Sequence, residues 1–550
     1  MFVRTKTTPN SPRKSVQVVE AYRVDGKVKQ KIVRHIGIAD DEAALAQLLE
    51  LAHYEKALLE ASHQPQLFSP EQVAAQIAEL PDKKAVPDSV RLSDLREQSR
   101  TIVGIHQVYG EIFEQLNLPS VFGARAASWR DVFKDIVLAR IANPDSKRAS
   151  VRMLEHDFGL SHSVDSVYRL MDKLDAPAIE RLQRLALQSA CDLLGKPVSV
   201  AFYDCTTLYF ESFDEDELRQ KGFSKDHKTQ ETQVLLAVLT TAEGLPLGYE
   251  LFPGATFEGH SLIPVITALQ ARYALKKVVF VADRGLFSED NLSFLEEQNL
   301  TYVVGARIKN LPAALTREVL NSAHYHDLEL ADSGDDEVYK VAQFTHQERR
   351  LVVSFSQRRA RKDHEDREKI LKKLRGKLDR SGDVKNFVGH TKKYLSQNGA
   401  ASLVLDEEKI RAAENFDGLA GIITNATEPV ATLLAHYHGL WHIEETFRIS
   451  KHDLKIRPIY HWKPERIKAH LAISFAALLC VRHLTYRCTL QYQKLSPEVI
   501  RRELTHVQVS VLKHQKTQKL YALPSPIGAH AARLYKLAGK PYSDIPYCYA

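Results

Sequence analysis

The chain has 550 residues, 44% hydrophobic and 26% charged, and this balance excludes a wholly disordered, collagen-like or fibrous protein. Its length predicts three or four domains. The longest nearly apolar run, 471–481, is eleven residues long, well short of the ~20 residues that span a bilayer, so no membrane span is expected. No apolar segment follows the basic N-terminus, so we expect a cytoplasmic protein. Five cysteines without a CxxC pair argue against disulfides and a cysteine zinc site.

Positive charge is concentrated in two parts of the chain. Residues 340–394 hold 17 Lys and Arg against 7 Asp and Glu, and residues 1–35 hold nine against two, whereas the whole chain carries only +6. Such segments suggest a polyanion partner, because each neutralised phosphate releases counterions. Taken alone, the run over 363–378 is more simply a solvated helix of mixed charge. Charge therefore agrees with nucleic-acid binding without identifying it.

The N-terminal third of the chain is predicted as three segments. Apolar residues at even positions over 15–37, with Asp25-Gly26 in the middle, predict a β-hairpin within an N-terminal segment of residues 1–60. Residues 61–99 are predicted as a linker. Helical spacing predicts a helical DNA-binding domain over 100–195, where the helices before and after Gly159 have the size of a helix-turn-helix. An ordinary helical bundle fits this pattern equally well.

From Pro197 onward, strands and helices alternate, which predicts a mixed α/β sheet. We assign 196–310 and 418–490 to one α/β domain, interrupted by a β-rich basic insertion at 311–417. Residues 491–550 are assigned to dimerisation or DNA binding, without a choice between the two. The predicted strands are 198–203, 233–240, 245–252, 277–282, 301–304 and 419–424, and the predicted helices are 261–273, 288–298, 429–455 and 464–486.

Two acidic residues follow buried strands of this predicted sheet. Asp204 comes directly after 198–203, and Asp283 directly after 277–282. Acids at the carboxyl edge of an α/β sheet lie where such folds bind ligands. Neighbouring carboxylates repel one another, so ionising both requires a cation, and a pair of Mg²⁺ or Mn²⁺ ions can clamp the oxygens of a phosphoryl displacement. Taken singly, a strand-terminal Asp is more often a turn or capping residue.

The predicted helix 429–455 offers a third oxygen ligand. Tyr437, Glu444 and Lys451 are seven residues apart, and at ~100° per residue seven steps end only ~20° short of two full turns. The three side chains are therefore predicted to form one stripe with a metal ligand between two phosphate contacts. Glu445 is rotated ~100° away from the stripe, whereas Arg448 is placed one turn beyond Glu444 on the same side.

Four motifs, in order along 198–480, resemble those of bacterial insertion-sequence transposases of the DDE type. The resemblance is to the branch that has a Tyr-Arg-Glu-Lys signature and a β-rich insertion before the glutamate. The motifs are Phe202-Tyr203-Asp204-Cys205-Thr206-Thr207, Gly222-Phe223-Ser224-Lys225-Asp226, Ala282-Asp283-Arg284-Gly285, and the stretch from Tyr437 through Trp441, Ile443-Glu444-Glu445 and Phe447-Arg448 to Lys451.

The resemblance implies a ribonuclease-H-like catalytic domain in which Asp204, Asp283 and Glu444 bind two Mg²⁺ ions, with Mn²⁺ as a substitute. It also implies that Tyr437 and Lys451 contact DNA phosphate. Leu440 stands where the signature has Arg. We expect Arg448 or Arg284 to supply the missing charge, and Arg358 and Arg359 of the basic insertion to contact DNA.

The same resemblance implies a partner and a reaction. The partner is double-stranded DNA with terminal inverted repeats, bound by a homodimer in the nucleoid-associated cytoplasm of a bacterium. The reaction is DNA cleavage at the ends of a mobile element followed by strand transfer. Two alternatives stay open at this point: a metal-dependent nuclease that cuts without joining, and a DNA-binding relative without catalysis.

Overall fold

The structure is a computed structural model that describes most of the chain. The hairpin turn Asp25-Gly26, most of the predicted linker 61–99 and the motif residues 224–226 lie outside the described residues. The described ranges are 2–7, 14–24, 27–39, 44–45, 48–49, 51–53, 56, 90–123, 127–223, 230–273, 278–286, 288–328, 339–378, 393–398 and 402–548.

Helices and strands are numbered here along the described chain. The strands are β1 (Phe2–Thr7), β2 (Lys14–Val24), β3 (Lys27–Ala39), β4 (Leu95–Ile102), β5 (Val200–Tyr209), β6 (Gln233–Thr241), β7 (Pro246–Pro253), β8 (Val279–Ala282), β9 (Thr301–Ala306), β10 (His326–Asp327), β11 (Tyr339–His346), β12 (Arg349–Ser356), β13 (Leu395–Asn398), β14 (Ser402–Leu405), β15 (Leu419–Thr424), β16 (Gln508–His514), β17 (Leu520–Pro524) and β18 (Tyr547–Cys548). The helices are α1 (Gly104–Gln115), α2 (Ala127–Ala142), α3 (Lys147–Phe158), α4 (Val164–Lys173), α5 (Ala176–Leu194), α6 (Leu262–Tyr273), α7 (Glu289–Glu297), α8 (Ala313–Leu320), α9 (Gln357–Leu378), α10 (Glu407–Glu414), α11 (Val430–His438), α12 (Trp441–Arg448), α13 (Pro464–Gln491), α14 (Pro497–Thr505) and α15 (Ala529–Ala538).

The chain forms two compact units. Unit 1 comprises Met1–Val198, Cys205–Thr256 and His442–Ala550, and unit 2 comprises Ser199–Asp204 and Phe257–Trp441. The chain passes from one unit to the other within β5. The predicted division into catalytic parts and an insertion stays a prediction.

Unit 1 begins with a three-stranded antiparallel sheet, in the order β1-β2-β3. Strands β2 and β3 confirm the predicted hairpin. The pairing register shifts next to Val18 and Val19, so both of these valines are buried. Tyr22 and Ile32 are about half exposed. An irregular pairing step of this kind changes which residues face the core.

Five helices follow, α1 to α5, and confirm the helical part predicted for 100–195. Helix α3 ends at Gly159, whose φ is +68°, and the Ser163 side chain caps α4 by accepting from the Ser166 N–H. This confirms two helices separated by a turn. Residues 95–102 form strand β4, which pairs with β16 in a four-stranded sheet of order β18-β17-β16-β4. Part of the predicted linker is thus a strand.

Helix α13 is the core helix of unit 1. It is the one described helix long and apolar enough to cross a membrane by length and composition, and 94% of its apolar window is buried inside the protein. Such burial is typical of a core helix, so the finding is weak evidence for a membrane span.

Unit 2 is built on a mixed sheet in the order β10-β11-β12-β15-β9-β8 and then the first half of β5. Strands β5, β8 and β9 run parallel, whereas β15 is antiparallel to β9 and to β12. The second half of β5 belongs to unit 1, where the strand order is β5-β6-β7. This confirms the predicted mixed α/β sheet. Strands β11 and β12 of the predicted insertion extend the same sheet, and β13 with β14 forms a separate hairpin.

Two predicted elements differ in the structure. Strand β5 continues past Asp204 to Tyr209, because the β-branched Thr206 and Thr207 are buried and keep the chain extended. The single helix predicted over 429–455 is two helices, α11 and α12, followed by a π-helical turn at Ile449–Asp453. The break falls at Gly439, where an added Cβ would lie 2.6 Å from the Phe202 ring. Close packing of the backbone on that ring requires glycine there.

Candidate active site

Asp204 and Asp283 are brought together by the register of two parallel strands. Residues 200–203 of β5 pair in order with residues 279–282 of β8, ending with Tyr203 opposite Ala282. One step further along both chains come the two aspartates. Paired strands lie ~4.8 Å apart, so this register makes the aspartates direct neighbours. Both are only partly buried, so their carboxylates remain accessible to an ion or a substrate.

A tight turn after β8 fixes the Asp283 side chain. Its Oδ1 accepts a hydrogen bond from the Gly285 N–H at 2.7 Å. An added Cβ at Gly285 would lie 2.9 Å from that oxygen, so the approach requires glycine. The Asp283 carboxylate is therefore oriented by its own loop.

Tyr437 of α11 lies beside the same turn. An added Cβ at Gly305 of β9 would overlap the Tyr437 hydroxyl and would lie 2.9 Å from the Arg284 backbone nitrogen. The missing side chain at Gly305 thus makes room for the tyrosine hydroxyl next to the loop that carries Asp283. The structure therefore brings together Asp204, Asp283, Arg284 and Tyr437 of the predicted site.

A cavity of about 600 Å³ opens in unit 2 next to this loop. Its charged lining residues are Arg284, Arg307, Lys309, Arg359, Arg367, Lys393, Asp363, Asp366 and Asp417. Two of the cations are paired with these acids: Arg367 donates to both carboxylate oxygens of Asp417 at 2.5 and 2.7 Å, and Arg359 lies 3.7 Å from Asp363.

The remaining cations give the cavity an excess of positive charge. Burial lowers the pKa of Lys309, and the positive charge of nearby Lys393 lowers it further. Repulsion between cations is relieved by an anion, so the cavity suits a phosphate group. Arg359, which was predicted to contact DNA, lines this cavity, whereas Arg358 is an exposed residue of α9 outside its lining.

In unit 1, the neighbouring residues Glu444 and Glu445 of α12 have different environments. Glu445 accepts a hydrogen bond from the buried Arg482 at 2.7 Å and lies within 3.6 Å of Lys494 and Arg448. Burial alone would raise the pKa of Glu445, but the Arg482 hydrogen bond and the three positive charges outweigh it and hold that pKa below its usual range. Glu444 is exposed. Arg448 therefore pairs with Glu445 and not with Glu444.

The stripe predicted for Tyr437, Glu444 and Lys451 does not form on one regular helix. Tyr437 lies on α11, Glu444 on α12, and Lys451 in the π-helical turn. The prediction assumed a rotation of ~100° per residue throughout. That rotation does not hold across the break between α11 and α12 or in the π-helical turn. Within the described residues, no three His, Cys, Asp or Glu side chains are grouped so as to hold a metal ion. Within unit 2, the structure makes two of the predicted carboxylates, Asp204 and Asp283, neighbours.

Several residues of these sites had not been singled out from the sequence. Gly305 lies near the end of the buried strand β9, and a glycine inside a strand often marks a close approach, which was the available signal. Arg307 and Lys309 follow β9 directly, and a basic pair after a parallel strand offered a usable signal. Arg482 lies inside an apolar helix, where its contact with Glu445 leaves no local pattern.

Comparisons with known proteins identify the family. A family model described as "Transposase DDE domain" matches residues 196–480, and one described as "IS1634 family transposase, N-terminal domain" matches residues 2–64. A search of curated proteins finds no match.

Three solved structures are similar to the chain. The piggyBac transposase synaptic complex with hairpin DNA is 10% identical, covering 73% of this chain and 76% of that chain with a TM-score of 0.37. The Mos1 transposase paired-end complex with the left transposon end is 15% identical, covering 46% and 71%, with a TM-score of 0.15. The Mos1 mariner paired-end complex with Mn is 13% identical, covering 48% and 77%, with a TM-score of 0.14.

The DDE-domain match covers more than half of the chain and includes Asp204, Asp283 and Glu444. The mixed α/β sheet agrees with the expected fold class, and enzymes of this family use divalent metal ions. The chain therefore belongs to the DDE transposases of insertion sequences, the enzymes that cleave DNA and transfer its strands.

Proposed function

We propose that this transposase cleaves phosphodiester bonds at the ends of its own element and joins the freed 3′-hydroxyl to a second DNA site. Asp204, Asp283 and Glu444 would hold two Mg²⁺ ions, for which Mn²⁺ can substitute. The observation that carries the proposal is the strand register that makes Asp204 and Asp283 neighbours. Carboxylate oxygens are the ligands that these hard cations prefer.

The three proposed ligands are all carboxylates, which is the chemistry that Mg²⁺ prefers. Asp204 and Asp283 supply two adjacent carboxylates, and Glu444, assigned by resemblance and exposed on α12, supplies the third. Bound ions in such sites lower the pKa of water and stabilise charge on the phosphoryl oxygens. The Gly285 N–H holds the Asp283 carboxylate in one orientation, which a metal ligand requires.

The cationic cavity and Tyr437 would position the DNA strand. The Tyr437 hydroxyl lies beside the Asp283 loop, and Arg284 of that loop lines the cavity, so both residues suit a phosphate next to the cut. Arg359, with Arg358 on the same helix, would bind phosphates further along the strand. Lys451 and Arg448 would add contacts in unit 1, and a phosphate would compete with Glu445 for Arg448.

The partner is double-stranded DNA that ends in terminal inverted repeats, bound by a homodimer that pairs two ends. A bacterial insertion-sequence transposase acts on DNA in the cytoplasm, and we place this one at the nucleoid. Support comes from the family assignment and from the cationic lining of the cavity.

The test is an assay with a labelled terminal-repeat duplex in Mg²⁺ that scores binding, cleavage and joining separately. Asp204→Asn, Asp283→Asn and Glu444→Gln should each abolish cleavage and joining while leaving binding intact. Asp366→Asn is the matched control, because this acid lines the cavity and is not a proposed ligand. Cleavage without joining by the unmodified protein would favour a nuclease, and binding alone would favour a non-catalytic relative.

A further inference from the structure

A loop in unit 1 presents two large aromatic side chains to solvent. It joins the π-helical turn to α13 and covers residues 454–463. Tyr460 is 58% exposed and Trp462 is 60% exposed. Ile459, which precedes Tyr460, and His461, which lies between the two aromatic residues, are buried. Exposed and buried residues thus alternate, and both rings are turned away from the core.

The loop is anchored firmly to the helices beneath it. The buried Arg140 donates to the carbonyls of Leu454 and Lys455 at 3.4 and 3.1 Å. His470, also buried, contacts the Ile456 carbonyl through Nε2 at 3.0 Å. These contacts fix the backbone at the start of the loop, so presenting the two rings costs little further conformational entropy.

One cation lies against an exposed ring, and others are close in sequence. The Arg219 guanidinium lies 5.1 Å from the centre of the Trp462 ring and is itself held by Asp216 at 2.7 Å. Arg457 lies 4.7 Å from the centre of the Tyr209 ring. Residues 455–468 carry five Lys and Arg against one acid, Glu465. Arg466 is paired with Asp172 at 2.9 and 3.1 Å, and the other four cations of this segment lie outside that pair. The segment therefore keeps an excess of positive charge, unlike the centre of a typical protein-binding patch, where charges are depleted.

We propose that Tyr460 and Trp462 form a stacking platform for unpaired nucleotides of a single DNA strand, with the neighbouring Lys and Arg side chains binding its phosphates. Exposed aromatic rings beside cations are the combination that binds single strands, because every base has a face that stacks. Bases inside a duplex are already stacked on each other and leave no face for these rings. The proposal rests on DNA being the substrate, as proposed above, and adds the strand state that this surface selects.

The test compares the affinities of a 20-residue oligo-dT and a matched duplex for the full-length protein, measured by fluorescence anisotropy. Trp462→Ala and Tyr460→Ala should each weaken oligo-dT binding about tenfold and leave duplex binding within about twofold. Trp462→Phe should restore most of the affinity, since phenylalanine still stacks. Phe257→Ala is the control, because this residue is an equally exposed aromatic (61%) outside the loop.

Unchanged oligo-dT binding by Trp462→Ala and Tyr460→Ala, with melting temperatures equal to that of the unmodified protein, would overturn the platform. Loss of self-association without any loss of oligo-dT binding would overturn it in favour of a protein interface. Cleavage of the terminal-repeat duplex is scored in parallel. If the unmodified protein cleaves ends but fails to bind oligo-dT, the platform is wrong and the transposase mechanism stands. Stacking without cleavage would leave the platform supported and count against the catalytic proposal.

Discussion

Glu444 and Glu445 are adjacent in sequence, but we predict different effects when each is replaced with glutamine. Glu445→Gln should lower stability and keep cleavage, whereas Glu444→Gln should keep stability and abolish cleavage. Glu445→Gln removes one partner of a buried ion pair: the Arg482 side chain is 6% exposed and that of Glu445 is 16% exposed. Leaving a buried charge without its partner costs ~3–5 kcal/mol. Arg482 keeps its hydrogen bond to the Gly244 carbonyl at 2.8 Å, so we expect the low end, about 3 kcal/mol. Glu444 is exposed, and its replacement should cost less than about 0.5 kcal/mol.

These free energies convert into melting temperatures. Unit 1 has about 360 residues, and at ~2.1 cal/mol/K per residue its unfolding entropy is roughly 0.75 kcal/mol/K. A loss of about 3 kcal/mol therefore lowers the melting temperature by about 4 °C. Calorimetry of both variants at pH 7 measures this, and cleavage of labelled ends below the melting temperature measures function. Glu445→Gln should melt early yet cleave, whereas Glu444→Gln should melt normally and not cleave.

Acid pH offers a check on the same ion pair. The pKa of Glu445 is lowered in the folded protein, so the pair contributes stability above the ordinary carboxyl pKa and loses it as the pH falls through the lowered value. The stability gap between Glu445→Gln and the unmodified protein should therefore close below about pH 4. Equal melting temperatures of the two variants at pH 7, or cleavage by Glu444→Gln, would refute the reasoning.

Two further predictions concern buried positions. Gly305→Ala should push the Tyr437 hydroxyl off β9, lowering end cleavage and costing ~1–3 kcal/mol of overpacking. Gly376→Ala is the control: nothing lies within 4 Å of an added Cβ, so it should leave cleavage unchanged and stabilise helix α9 by up to about 1 kcal/mol. Equal cleavage by the two variants would count against the tyrosine position. Burial, with nearby positive charge, lowers the pKa of His461 to about 4 and that of His483 to about 3. Unfolding frees these rings to take up protons, so stability should be unaffected above pH 6.5 and fall below it, by up to ~1.4 kcal/mol per pH unit for each histidine. Denaturant melts of His483→Gln should show a shallower loss between pH 6.5 and 4.5, and an unchanged slope would contradict the assignment.

The sequence was enough to predict that Asp204 and Asp283 are neighbours. It was not enough to predict where the strand that carries Asp204 ends. Continuous apolar runs before Asp204 and Asp283 predicted two buried strands, and parallel pairing then placed both acids at one edge. The continuation of β5 to Tyr209 was missed, because an acidic residue usually ends a buried strand and the pairing partner of residues 205–209 lies elsewhere in the sequence. A strand can carry a half-buried carboxylate in its middle when its neighbour on one side stops short, as β8 does after Ala282.

The helix break at Gly439 illustrates what periodicity leaves out. The heptad spacing of Tyr437, Glu444 and Lys451 is real in sequence, but it corresponds to one face only if every residue between them is α-helical. A ring from β5, Phe202, occupies the space beside Gly439, and that contact joins residues more than 200 positions apart. The pairing of Glu445 with Arg482 is equally non-local. Both depend on tertiary packing, which overrides local helix propensity.

Some of the described cations of residues 340–394 are paired with carboxylates inside the protein, and others are not. The net charge of +10 for this segment does not distinguish the two kinds. Arg349 is 8% exposed, and it donates to Glu296 at 2.7 Å and to Glu289 at 2.5 Å. Arg367 is similarly committed to Asp417. A guanidinium already paired with carboxylates releases few counterions when DNA binds, since its charge is neutralised beforehand. We therefore expect DNA affinity in this region to depend on the cations outside these pairs, and the buried arginines explain why a basic segment can be required for folding as much as for binding.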